Sequence, residues 1–190
     1  MHVHRIAAFL AGCWILGSLF MMFVATQNFQ AVDRVLAAPS ATAAPLIQTL
    51  GGANSRLLLR QLVADENASY FQSWEMAELI LGTALAGFLL LGAKRQILAG
   101  LALGMVALAA FQHAKVTPEM IAVAQSLEPA SSRADFGRLH ALYGVLEVVK
   151  LGLAVVIAAA ILPTWRKAGP TSAPHAPEVF PQSTQPLPRA

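Results

Sequence analysis

The chain has 190 residues, 56% of them hydrophobic and only 12% charged, with a formal net charge of +3, a pI near 9.4 and a mean hydropathy of +0.58. Soluble domains are nearer half apolar and a quarter charged, so this composition excludes an ordinary soluble globule and points to a membrane protein. The basic residues are scattered beside membrane-length segments, which reads as orientation rather than nucleic-acid binding, and one cysteine, Cys13, excludes an internal disulfide framework or a cysteine-based metal cluster.

Residues 6–25 carry no charge over a length that matches the hydrocarbon of a bilayer, and they predict the first span. Leu10-Ala11-Gly12-Cys13 has the form of a lipoprotein cleavage box. The apolar stretch before it is too short for a signal peptide, however, and the run continues past Trp14, so an uncleaved span is expected. The helical pattern extends through Gln27 and Asn28 to Ala38, where Pro39 stops it. In the long loop that follows, Leu46, Ile47 and Leu50 lead to Gly51-Gly52, and a second helix begins near Asn54 or Ser55. Over residues 56–68, Leu57, Leu58 and Leu62 oppose Arg56, Arg60 and Glu66. This predicts an amphipathic loop helix lying on the membrane or capping the bundle.

The second span is expected over 76–93, the third over 97–114 and the fourth over 139–162, with Lys94-Arg95 forming a tight hairpin between the second and third. The apolar part of the third span is short and needs help from its neighbours. Thr117-Pro118-Glu119 then opens a connecting segment with its own short helix, which Pro129 ends. Pro163 and Trp165-Arg166 close the fourth span. Gly82 with Ala86, and Gly100 with Gly104, set small residues on one face of the second and third spans, so those faces are expected to pack against helices of this chain or of an oligomeric partner. Residues 168–190, rich in proline, serine, threonine and glutamine, read as a disordered tail. The fold expected is therefore all-α: an antiparallel four-helix membrane bundle over 1–167, with amphipathic loop helices between spans one and two. Arg5, Lys94, Arg95, Arg166 and Lys167 crowd the short segments at one end, which places both termini in the cytoplasm of a bacterial inner or plasma membrane.

Polar residues interrupt this apolar background at one level. On a helix at 100° per residue, His140, Tyr143, Glu147 and Lys150 fall at about 0°, 300°, 340° and 280°, a single narrow face of the fourth span. Ionisable groups at such depth disfavour insertion by about 2.5 to 3.5 kcal/mol each, and they usually face a bundle interior. Glu75, Glu78, Gln112 and His113 arrive near the same level from the second and third spans. A stepped track of titratable groups suits a proton or ion pathway. His113 and His140 with a carboxylate would suit a metal, and the two histidines alone a haem; no cofactor follows from the residues themselves. The structural alternative is that the histidines are interfacial and Glu147 with Lys150 is an ion pair fixing helix register. No phosphate-cradling glycine loop or serine elbow is present, which argues against an enzyme.

Thr117-Pro118-Glu119 after the third span, Phe136-x-x-Leu139-His140 entering the fourth and Phe71-x-x-Trp74-Glu75 entering the second resemble the transmembrane-protein-205-like domain of unknown function. The resemblance spans roughly residues 5–165. It implies a small four-helix integral membrane protein without an established activity, some relatives of which are associated with drug or metal-complex tolerance. It carries over no catalytic residue. The expected function is thus a membrane protein that handles a small solute, ion, proton or metal through the polar centre, the alternative being a non-transporting structural or partner-binding subunit.

Overall fold

The computed structural model describes residues 2–92, 95–125 and 131–166. It contains α1 (His2–Ala37), α2 (Ala43–Leu50), α3 (Gly52–Leu90), α4 (Gln96–Phe111), a π-helical turn (Gln112–Val116), α5 (Thr117–Gln125) and α6 (Ser131–Arg166). Among the described residues there is no strand. Four stretches are long and apolar enough to cross a membrane: Val3–Ala37, Gly52–Leu90, Gln96–Ala124 and Ala134–Leu162. This is the architecture of a multi-pass membrane protein. Lys94, Lys167, Pro129 and the tail at 168–190 lie outside the described residues.

The bundle is a closed ring in which α1 packs on α3 and α6, and α4 on α3 and α6. Each helix contributes a heptad-like stripe, the spacing that keeps one face turned inward when helices cross at a shallow angle. The stripe is Ala7, Ala11, Trp14 and Ser18 on α1, and Glu75, Glu78, Gly82, Leu85 and Leu89 on α3. On α4 it is Ala99, Ala102, Met105 and Ala109, and on α6 Tyr143, Glu147, Lys150, Ala154, Ile157 and Ile161. Along the axis these stripes make three layers. An apolar core with Trp14, Leu85, Met105 and Ile157 fills the end near the termini. A polar layer follows, and above it Val116, Met120 and Tyr143 pack with Phe71 and Phe136.

The amphipathic segment at 56–68 is not a separate loop helix. It is the first part of α3, which runs unbroken for 39 residues, about 58 Å at 1.5 Å per residue. No glycine or proline stands between Ala53 and Leu81, so nothing stops the helix before the span begins. This extension pairs with the equally long end of α1. Asn28 Nδ2 donates to Asn67 Oδ1 at 2.8 Å, and Arg56 pairs with Asp33 at 2.8 Å. The turn before it behaves as expected: Gly51 has φ +79°, a conformation glycine adopts without a Cβ clash. Asn54 Nδ2, rather than capping α3, donates back to the Leu50 carbonyl at 3.0 Å.

Two expected stops are also passed. The third span continues beyond residue 114 through the π turn into α5, and α6 begins at Ser131 and continues through Pro163 to Arg166. Pro118 has no N–H and its ring crowds the carbonyl four residues back. Widening the preceding turn to π geometry, in which the Thr117 N–H donates to the Gln112 carbonyl, lets the helix absorb it.

The small-residue faces divide. Gly82 and Ala86 are buried in the bundle, whereas Gly100 and Gly104 have nothing within 4 Å of a built Cβ. Within this chain the packing face of α4 is its alanine stripe at Ala99, Ala102 and Ala109, and Gly100 and Gly104 meet no other helix of the bundle. Gly17, not singled out from sequence, lies against the indole of Trp74. At Gly82 a Cβ would stand 2.6 Å from Val106 Cγ2 and 2.7 Å from the Trp14 ring. Gly82→Ala is expected to lose about 1 to 3 kcal/mol through overpacking, while Gly100→Ala leaves thermal unfolding in mild detergent unchanged. Equal shifts for the two would refute this assignment of faces.

Candidate functional site

The polar layer lies deep in the apolar part of the bundle. Trp14 of α1 meets Gly82 of α3 and Gly17 meets Trp74, so Glu78, midway between Trp74 and Gly82, is level with residues 15–16, the centre of the uncharged run 6–25. Glu75 lies one turn nearer the loop end. Both were expected near the outer edge of the span, but both are fully buried, because α3 enters the bundle about two turns earlier than its unbroken apolar run begins.

Lys150 is the hub. Its side chain, fully buried, reaches across the bundle diagonal to Glu78 Oε2 and lies 2.8 Å from Glu147 Oε1 on its own helix. Gln112 Nε2 donates to the same Glu147 oxygen at 3.2 Å and to the Tyr143 carbonyl at 3.4 Å. A second group centres on Glu75, which accepts from the Thr117 hydroxyl and has Oε2 3.1 Å from His113 Nδ1. The π turn assembles both groups. With five residues in the turn, Gln112, Val116 and Thr117 are all buried, so the amide of Gln112 addresses α6 while Thr117 addresses α3.

Three carboxyl groups thus face one ammonium and one imidazole. Burying an unpaired charge is far more costly than burying a paired one, so a layer with acid in excess of base reaches neutrality only by holding protons of its own. Two buried oxygens, Glu78 Oε1 and Gln112 Oε1, have no hydrogen-bond partner and are acceptors for such protons or for water.

Of the residues anticipated from sequence, Glu75, Glu78, His113, Tyr143, Glu147 and Lys150 come together in or beside this layer. His140 does not. It is exposed and stacks on Phe136 with ring centroids 5.9 Å apart, because it sits at the edge of the α6 stripe, about 60° from Tyr143. The His113 and His140 pair expected for a metal or haem is corrected accordingly: His113 Nδ1 is engaged by Glu75, and His140 lies outside the buried layer. Among the described residues no three of His, Cys, Asp and Glu are grouped to hold a metal ion. Gln112 and Thr117 were the members least legible beforehand, since only the Thr-Pro pair marks the turn that aims them.

Glu147 is the carboxyl group through which the layer meets the surroundings, as His113, 39% exposed, meets them on the Glu75 side. The Glu147 side chain is 11% exposed, against 0% for Lys150 and Glu78. It opens into a cleft of about 210 Å³ between α1 and α6 that Ser18, Trp74, His140 and Tyr143 also line. No family model, curated protein or solved structure matches this chain.

Proposed function

We propose that this protein moves protons within a membrane, using Glu147 as the entry group and Glu78 with Lys150 as the buried acceptor at mid-depth. The observation that carries the reading is the acid excess around a single buried lysine, in contact with the outside through one carboxylate. Transmembrane ionisable groups at successive depths are the usual parts of such a relay. The membrane is a bacterial inner or plasma membrane with both termini in the cytoplasm. Supporting that orientation are Arg5, Arg95 and Arg166 at the terminal end of the bundle. A fluorescent reporter fused after Ala190 is expected to mature in the cytoplasm, and a phosphatase inserted near Ser40 to be active outside it.

The resemblance to the transmembrane-protein-205-like group belongs to the same reading. What supports it is that its short motifs converge: Glu75 of Phe-x-x-Trp-Glu accepts from Thr117 of Thr-Pro-Glu, and Phe71 packs on Tyr143 with centroids 5.2 Å apart.

The test is proton flux into proteoliposomes holding a pH-sensitive dye, driven by a potassium diffusion potential. The parent protein is expected to acidify the lumen well above empty vesicles, and Glu147→Gln to reduce that rate at least about a hundredfold, the lower end of what general acid–base groups contribute. A second reading, a partner-binding subunit, is favoured by the outward Gly100 and Gly104. It prevails if the parent shows no flux while Gly100→Leu abolishes an in-membrane cross-link to a neighbouring helix.

A further inference from the structure

The cleft at Glu147 has a chemistry of its own. Its walls are soft and aromatic, with Met21, Met22, Trp74 and Tyr143 around one carboxylate. It meets a second cleft of about 160 Å³ between the loop-end parts of α1, α3, α5 and α6, and Phe71 and His140 line both. With these shared walls the two clefts make a mostly apolar groove, and Glu147 is the carboxyl group in its lining. Ser18, 2% exposed, lines the Glu147 cleft and its hydroxyl has no hydrogen-bond partner.

We infer that this groove is a binding site for a monovalent lipophilic cation, an aromatic or alkyl ammonium whose charged head lies against Glu147 and whose apolar body lies along Phe71 and Trp74. Three features select that occupant. Glu147 is the one carboxyl group of the polar layer that lines the cleft, so a positive head is favoured there, while an anion is repelled. Aromatic faces attract a cation through their quadrupole, most strongly where water is excluded. Thioethers add polarizable contact that adapts to irregular shapes. A neutral lipid chain would find the apolar walls but would gain nothing from the carboxylate. A strongly hydrated cation such as sodium would find one carboxylate and no cage of oxygens.

The site stands apart from the proton reading, since equilibrium binding needs no flux. It is tested with benzyltrimethylammonium as probe and neopentylbenzene, its uncharged isostere, titrated by calorimetry into the full-length protein in nanodiscs. The cation is expected to bind at least about tenfold more tightly than the isostere, a difference of about 1.4 kcal/mol, and Glu147→Gln to remove most of that preference. Glu78→Gln, which leaves the groove lining intact, is expected to stop proton flux while retaining cation binding. Because a change at Glu147 also disturbs Lys150, Ala25→Phe serves as a second variant: it narrows the cleft from its α1 wall and is expected to weaken the cation with the polar layer untouched. Equal binding of the cation and its isostere, or a cation affinity unmoved by both Glu147→Gln and Ala25→Phe, overturns the inference. Absence of flux in the parent protein, with cation binding as expected, would count against the proton reading only.

Discussion

Replacing Lys150 by methionine is expected to be the most damaging single change in the bundle, lowering stability by about 3 to 5 kcal/mol. Methionine keeps the length of the lysine stem and fills the same volume, so the loss is electrostatic. Without the ammonium, Glu78 loses the partner of its Oε2, its Oε1 already having none, and Glu147 loses its charged partner while keeping the amide of Gln112. Against a typical folding free energy of 5 to 15 kcal/mol, such a loss is a large fraction of the whole. The matched double change, Glu78→Gln with Lys150→Met, removes one acid together with the base. It is expected to regain most of the loss, because exchanging a whole buried pair is often nearly neutral. Thermal unfolding in mild detergent, followed by tryptophan fluorescence, reads both. A Lys150→Met protein as stable as the parent would show that the bundle does not depend on this hub, and the polar layer would then be a poorly coupled inclusion.

The sequence revealed the layer along one helix and concealed it across helices. Tyr143, Glu147 and Lys150 share a face by spacing alone, and that stripe is what the folded bundle buries. The partner of Lys150 was not legible, because Glu78 lies 72 residues away and reaches it only across the ring diagonal, a relation no local period encodes. Glu75 and Glu78 looked juxtamembrane for a simple reason. Hydropathy marks where an apolar run starts, whereas burial depends on where neighbouring helices already enclose the chain. His140 errs the other way: its angle lies near the stripe, but at that height the Phe136 ring lies beside it and the bundle does not close over it. Gly100 and Gly104 form the more familiar small-residue pattern, yet the alanines one and two positions away were small enough to take the inner face. Proline marked some helix ends and not others. Pro39 follows an α1 that ends at Ala37, but Pro118 is accommodated by a π turn and Pro163 falls inside α6.

That π turn bears on the second large expectation, a coupling between Thr117 and Glu75. Thr117→Val keeps the shape of the side chain and removes the hydroxyl that donates to a fully buried carboxylate. Hydrogen bonds to charged groups contribute about 1.5 to 3 kcal/mol, so a loss of that size is expected. His113→Ala removes the other side-chain partner, 3.1 Å away. With both gone Glu75 has none, and the combined loss should approach the 3 to 5 kcal/mol seen when a buried pair is broken. His113 is 39% exposed, so water can replace part of its contribution, and the threonine is expected to be the larger of the two single effects. The decisive comparison repeats Thr117→Val in a Glu75→Met background. If the threonine acts through the carboxylate, its substitution becomes nearly neutral there, and the double-mutant cycle gives a coupling of at least about 1 kcal/mol. An undiminished loss in that background would mean that Thr117 matters only for packing beside Val116 and Met120. The hydroxyl contact with Glu75 would then be incidental to the turn that Pro118 imposes.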